Sequence, residues 1–126
     1  MARILLVDDD SAVLEALRRV LSRLGHTVVL ARDGAEALRL YKQEPTDIVL
    51  TDLIMPGKEG VELIQELRRG FPEAKIIAMS GGGRIDSRDL LKIARHVGAD
   101  RILAKPFGEA ELAAVLAELL GPPDAA

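Results

Sequence analysis

Cysteine is missing from the 126 residues, which removes disulfides, thiolate metal ligands and a cysteine nucleophile from consideration. No unbroken apolar run approaches the ~20 residues that a membrane-spanning helix needs. Met1-Ala2-Arg3 leads straight into Ile4-Leu5-Leu6-Val7, without a secretory hydrophobic segment or a cleavage site. A soluble, cytoplasmic chain with no membrane insertion is the expectation. Basic charge is not in excess either. Lys and Arg number 17 against 20 Asp and Glu, a formal net charge of −3, so the positive footprint needed for a phosphate backbone is lacking and direct nucleic-acid binding is not expected. Internal repeats and low-complexity stretches are also absent.

What is there is a globular balance, 48% hydrophobic and 29% charged, in a length that suits one domain. Aliphatic runs at 4–7, 27–31, 47–51, 75–79 and 101–104 read as strands. Between them the apolar residues recur at helical spacing. Val13, Leu14, Leu17, Val20, Leu21 and Leu24 form one stripe that Gly25 can end. Asp33 with Glu36 three residues on resembles a capping box for a helix that carries Ala37, Leu38 and Tyr41 inward and stops at Pro45. Val61, Leu63, Ile64 and Leu67 mark a third helix, ended near Gly70 and Pro72. A fourth is predicted over about 86–97, and a last one runs through Leu112, Val115, Leu116, Leu119 and Leu120.

Five β-then-α units with strands apolar on both faces predict a parallel sheet covered by helices on each side, because parallel strands need crossover connections. The expected fold is a flavodoxin-like, doubly wound α/β sheet of order 2-1-3-4-5, whose winding reverses between the first and third strands, where ligands of such sheets sit. Residues 1–121 should form the domain. Gly121-Pro122-Pro123 cannot continue the last helix, so 122–126 is expected to be a short tail with no output domain.

The residues leaving the strands at their carboxyl ends are Asp8, Asp9 and Asp10 after the first, Asp52 at the third, Ser80 at the fourth and Lys105 at the fifth. Each has an ordinary structural use on its own, and Asp10 reads as the N-cap of the first helix. Four strands delivering polar groups to one edge is a different matter, because convergence marks a site. Like charges at about 4 Å repel by roughly 4 kcal/mol at an effective dielectric of 20, so Asp8, Asp9 and Asp52 require positive charge among them. Lys105 supplies some. A hard divalent cation such as Mg²⁺, with few carboxylates and retained waters, supplies the rest. A carboxylate beside such a cation, a Lys and a hydroxyl can form an aspartyl phosphate.

Four segments carry a resemblance to a known family: Ile4-Leu5-Leu6-Val7-Asp8-Asp9-Asp10, Thr51-Asp52-Leu53-Ile54-Met55-Pro56-Gly57, Met79-Ser80-Gly81 and Leu103-Ala104-Lys105-Pro106-Phe107. Together they look like the receiver domain of two-component response regulators, of the single-domain chemotaxis-regulator kind. The resemblance implies that Asp52 is the phosphoacceptor, taking its phosphoryl group from a histidine kinase or a histidine phosphotransfer protein. It implies Asp9 as a direct Mg²⁺ ligand, Asp8 acting mainly through water, and the Ile54 carbonyl as a further ligand. Ser80 would be the hydroxyl that moves to the phosphoryl group and Lys105 its ion-pair partner, with Lys105–Pro106 a cis peptide helping to aim the lysine. Such a domain is a signalling module and not a conventional enzyme. Slow self-phosphorylation from small donors, self-dephosphorylation and binding of an output protein would be expected of it.

The chain departs from the family in three ways. Ile102 stands where an aromatic often serves as a rotamer switch, three glycines at 81–83 follow Ser80, and Ile54 offers no group to orient an attacking water. Other readings fit less well. A constitutive binding scaffold would not need all five site residues, a phosphatase with an Asp nucleophile wants an Asp at position 54, and a nucleotide or flavin binder wants glycines and hydroxyls where Asp8-Asp9-Asp10 would repel an anion. His26 and His96 read as surface histidines, Arg18 and Arg19 as a solvated face that could also serve docking, and Tyr41, Phe71 and Phe107 as core or core edge.

Overall fold

The computed structural model describes residues 2–53, 60–80, 92, 95, 96 and 98–121. Among these, five strands, β1 (Arg3–Val7), β2 (Thr27–Ala31), β3 (Ile48–Asp52), β4 (Ile76–Ser80) and β5 (Arg101–Ala104), form one parallel sheet of order β2-β1-β3-β4-β5. The helices α1 (Ser11–Arg23), α2 (Gly34–Gln43), α3 (Gly60–Gly70) and α4 (Glu109–Leu120) accompany them. The fold and strand order are those expected from the alternation of strand and helix patterns. Of the helix predicted over 86–97, Lys92, Arg95 and His96 are helical, and the rest lies outside the described residues, as do Ile54, the glycines at 81–83 and the tail 122–126.

Strand alternation sorts the core into two halves. Leu5, Val7, Val49, Ile76 and Ala78 face the side covered by α2 and α3, where they meet Ala37, Tyr41, Leu63, Ile64 and Leu67. Ile4, Leu6, Ile48, Leu50, Ile77 and Met79 face the other side and meet Leu14 and Leu21 of α1 and Leu112 and Leu116 of α4. The central strands are buried on both faces, which is why they read as unbroken aliphatic runs. Tyr41 packs edge-on to Phe71 with ring centroids 4.8 Å apart, and Phe107 packs against the second half-core.

Local chemistry sets the helix ends. Asp10 Oδ1 accepts the Ala12 and Val13 N–H groups at 2.9 and 3.4 Å, and Gly25, with φ 95°, follows α1 in the left-handed region. Asp33 Oδ1 accepts the Glu36 N–H at 2.8 Å, and Glu36 Oε1 in return accepts the Arg32 N–H at 2.9 Å. This is a capping box whose return bond falls one residue earlier than usual. Strand β3 begins and ends one residue later than its apolar run suggests, because Asp52 still pairs with Met79 of β4. The acid therefore sits on the last rung of a ladder and not on a free loop.

Candidate functional site

The crossover from β2 to β3 passes over β1, so the winding reverses between β1 and β3. The carboxyl end of β1 delivers Asp8 and Asp9 to that point, and the last residue of β3 delivers Asp52. One carboxylate oxygen from each of the three lies within 4.8 Å of the others. Lys105, just beyond β5, reaches across β4 to this cluster: its Nζ donates to Asp8 Oδ2 at 3.1 Å and lies 3.5 Å from Asp52 Oδ2. Four residues proposed from the sequence are thus brought together. Ser80 closes β4 in register with Ala104, which places its backbone on the same edge; its side chain and the Ile54 carbonyl lie outside the described parts.

Exposure grades across the cluster. Asp8 is 1% accessible, while Asp9 is exposed and Asp52 is half-buried. Asp8 could not be tolerated as a lone buried carboxylate, and both its oxygens are occupied: Oδ1 accepts the Asp10 N–H at 3.0 Å and Oδ2 accepts Lys105. Burial by itself would depress the Lys105 ammonium and is the largest single influence on it. The combined attraction of Asp52 and Asp8 outweighs it and raises the lysine above its ordinary pKa. Lys105 is therefore a cation at neutral pH. The Lys105–Pro106 peptide is cis.

Three carboxylates facing a single ammonium among the described residues leave the cluster with excess negative charge. An all-oxygen donor set of this size fits a hard divalent cation such as Mg²⁺. Asp9 and Asp52 are the more accessible of the three carboxylates. Asp8, with both oxygens already hydrogen-bonded, suits a role through bridging water.

Two contributors to the site escaped the sequence reading. Thr51 is fully buried and its Oγ1 donates to the Asp52 carbonyl at 2.9 Å. Gly60, the first residue of α3, lies against the same peptide, so that a Cβ there would stand 2.7 Å from Leu53 Cα. The signal available for Gly60 was a poor helix former opening an otherwise regular helical pattern. Of the histidines, His96 is exposed, whereas His26 is half-buried and its Nδ1 accepts the Ala2 N–H at 3.2 Å. Arg18 and Arg19 are solvated and both engage Glu15, whose carboxyl Arg18 holds down to about 2.

Comparison with known proteins identifies the family and the fold. Residues 4–117 match the family model of the response regulator receiver domain. Response regulator MprA of Mycobacterium ulcerans is 40% identical over 118 residues, covering 94% of this chain and 50% of that protein, so the chain spans about half the length of the curated relatives it matches. A response regulator receiver domain protein from Clostridium thermocellum superposes with a TM-score of 0.87 at 28% identity, covering 95% of this chain and 94% of the other. A chemotaxis protein of Vibrio cholerae superposes with a TM-score of 0.83 at 26% identity, covering 94% and 98%.

Proposed function

This chain belongs to the response regulator receiver domain family, and from that premise we propose that Asp52 accepts a phosphoryl group from a phosphohistidine of a histidine kinase or phosphotransfer protein. The observation that carries the proposal is the meeting of Asp8, Asp9, Asp52 and Lys105 at the sheet's switch point. Asp52 stands at the end of a paired strand, its carboxylate partly accessible and therefore open to an incoming phosphoryl group. One of its oxygens forms the new O–P bond as the donor's P–N bond breaks, and the bonding electron pair stays on the imidazole nitrogen. The Lys105 ammonium, within reach of Asp52, pairs with the phosphoryl oxygens and holds charge that would otherwise oppose the attack. Ser80, from the end of β4, donates its hydroxyl to the same oxygens.

Asp9 and Asp52 would hold Mg²⁺ directly, Asp8 through water, with the Ile54 carbonyl as a further ligand. The cation, when bound, would neutralise the phosphoryl oxygens and relieve the crowding of the three acids. With an aliphatic side chain at Ile54, nothing polar at that position orients water against the aspartyl phosphate, so self-dephosphorylation is slow. The phosphorylated surface then binds an output protein, and the module works in the cytoplasm without touching nucleic acid or membrane. No helix among the described residues is long and apolar enough to cross a membrane.

Intact-mass spectrometry after incubation with a small acyl phosphate tests the reading. Labelling should need Mg²⁺, be abolished by a chelator and by Asp52→Asn, and be severely weakened by Asp9→Ala at limiting Mg²⁺. Labelling that proceeds equally in the chelator would remove the metal from the proposal.

A further inference from the structure

The peptide that follows Asp52 is held on three sides. Its carbonyl oxygen accepts the hydroxyl of the fully buried Thr51 at 2.9 Å. Its N–H, that of Leu53, donates to the Met79 carbonyl of β4 at 3.0 Å. Gly60 presses on the third side. A Cβ at that residue would overlap the Asp52 carbonyl oxygen, and would lie 2.8 Å from the Asp52 carbonyl carbon and 2.7 Å from Leu53 Cα. All three obstacles are backbone atoms, which cannot swing aside as the end of a side chain could. Among the described residues the glycines with positive φ are Gly25, Gly98 and Gly121 and Gly60 is not one of them, so glycine serves close approach here and not an unusual backbone turn.

A side chain at position 60 would have to displace one of two partners. α3 is anchored by Leu63, Ile64 and Leu67, all fully buried. The end of β3 has one strand neighbour fewer, because its ladder with β1 stops at the Val7–Thr51 pair while Asp52 continues the ladder with β4. The strand end would therefore yield, and the Asp52 carboxylate would move relative to Lys105 and the neighbouring acids.

We propose that Gly60 and Thr51 are positioning residues for phosphoryl transfer, fixing the peptide after the phosphoacceptor so that the Asp52 carboxylate faces Lys105 and the other carboxylates in a single orientation. This rests on the reading of Asp52 as phosphoacceptor. Neither residue touches the phosphoryl group. Their effect passes through the Asp52 backbone, and displacements of the order of 1 Å at a reacting group can cost roughly a hundredfold in rate.

The test measures the rate of phosphoryl uptake from a small acyl phosphate at saturating donor and Mg²⁺, with circular dichroism confirming the fold of each variant. Gly60→Ala and Thr51→Val should be labelled at least about tenfold more slowly than the parent. Thr51→Ser, which restores the hydroxyl, should recover most of the rate, a rescue that a merely space-filling role would not give. Gly70→Ala should match the parent, because nothing lies within 4 Å of a Cβ at Gly70. Parental rates in folded Gly60→Ala and in Thr51→Val would overturn the proposal, as would Thr51→Ser being as slow as Thr51→Val. Should Gly60→Ala not fold, a parental rate in Thr51→Val alone overturns it. Absence of label on the parent protein would instead reject the phosphoacceptor reading and this proposal with it.

Discussion

Lys105 is the residue on which the electrostatics of the site turn, because it is the cation that makes the burial of Asp8 tolerable. Replacing it with Ala leaves Asp8, 1% exposed, with its carboxylate short of a charged partner and close to two others. In the absence of divalent cations Lys105→Ala should lose about 1–3 kcal/mol of stability, between the limits for exposed and buried ion pairs, as read by urea denaturation. The pH response follows from the raised lysine pKa. A cation favoured by folding contributes stability that is complete below the unfolded value, about 10.4, and is lost as pH rises through the higher folded value. Stability should therefore fall at alkaline pH in the parent and fall less in Lys105→Met. At the acid end His26 acts in the opposite direction. Burial lowers its pKa, so its contribution is present above about pH 6.5 and is lost as pH falls through the folded value. His26→Asn should flatten the urea midpoint against pH in that window. Asp8, Asp9, Asp52 and Lys105 were legible in the sequence because each directly follows or ends an aliphatic run. Thr51 and Gly60 were less so, since a buried hydroxyl leaves no mark on periodicity and the one trace of Gly60 is a poor helix former opening a helical pattern.

At the scale of elements, the end of the molecule opposite the site is tied by one guanidinium. Arg68, near the end of α3, donates to the carbonyls of Pro72 at 2.9 Å, Ala74 at 2.7 Å and Gly98 at 2.6 Å, and to Asp100 Oδ2 at 2.9 Å. Asp100 Oδ2 in turn accepts the Ile76 N–H at 2.7 Å, and the Asp100 N–H donates to the Ile76 carbonyl at 2.8 Å. The starts of β4 and β5 are thus joined to the end of the helix between β3 and β4. Removing the guanidinium leaves several partly buried carbonyls unpartnered, so Arg68→Ala should cost about 2–4 kcal/mol by urea denaturation. Arg68→Lys should recover only a minor part, because an ammonium cannot reproduce the planar fork. A smaller effect is expected at the capping box, where Asp33→Ala should cost about 1 kcal/mol. The helix starts were readable because capping is chemistry between near neighbours in sequence, as at Asp10 and Asp33. The Arg68 network was not, because its acceptors are carbonyls brought together only by the tertiary fold, and the strand ends shifted by a residue where ladder pairing such as Asp52 with Met79 outlasted the apolar run.

Taken as a whole, the molecule is a parallel sheet whose two covered faces supply stability and whose switch point collects charge that works against it. The alternation of strand and helix patterns implied a parallel sheet because parallel neighbours demand crossovers, and the order β2-β1-β3-β4-β5 determines which strand ends meet. Excess negative charge held in the folded state gives a cation a binding energy that the unfolded chain cannot offer, so millimolar Mg²⁺ should raise the melting temperature while Na⁺ at matched ionic strength does not. Asp9→Asn should weaken that response. The central claim, that this charge cluster is built to receive a phosphoryl group on one of its acids, is tested most directly by locating the label. After incubation of the parent protein with Mg²⁺ and a small acyl phosphate, tandem mass spectrometry of its peptides should place a single phosphoryl group on Asp52. A phosphoryl group found stoichiometrically outside the acidic cluster, or undiminished labelling of the Asp52→Asn protein, would contradict it.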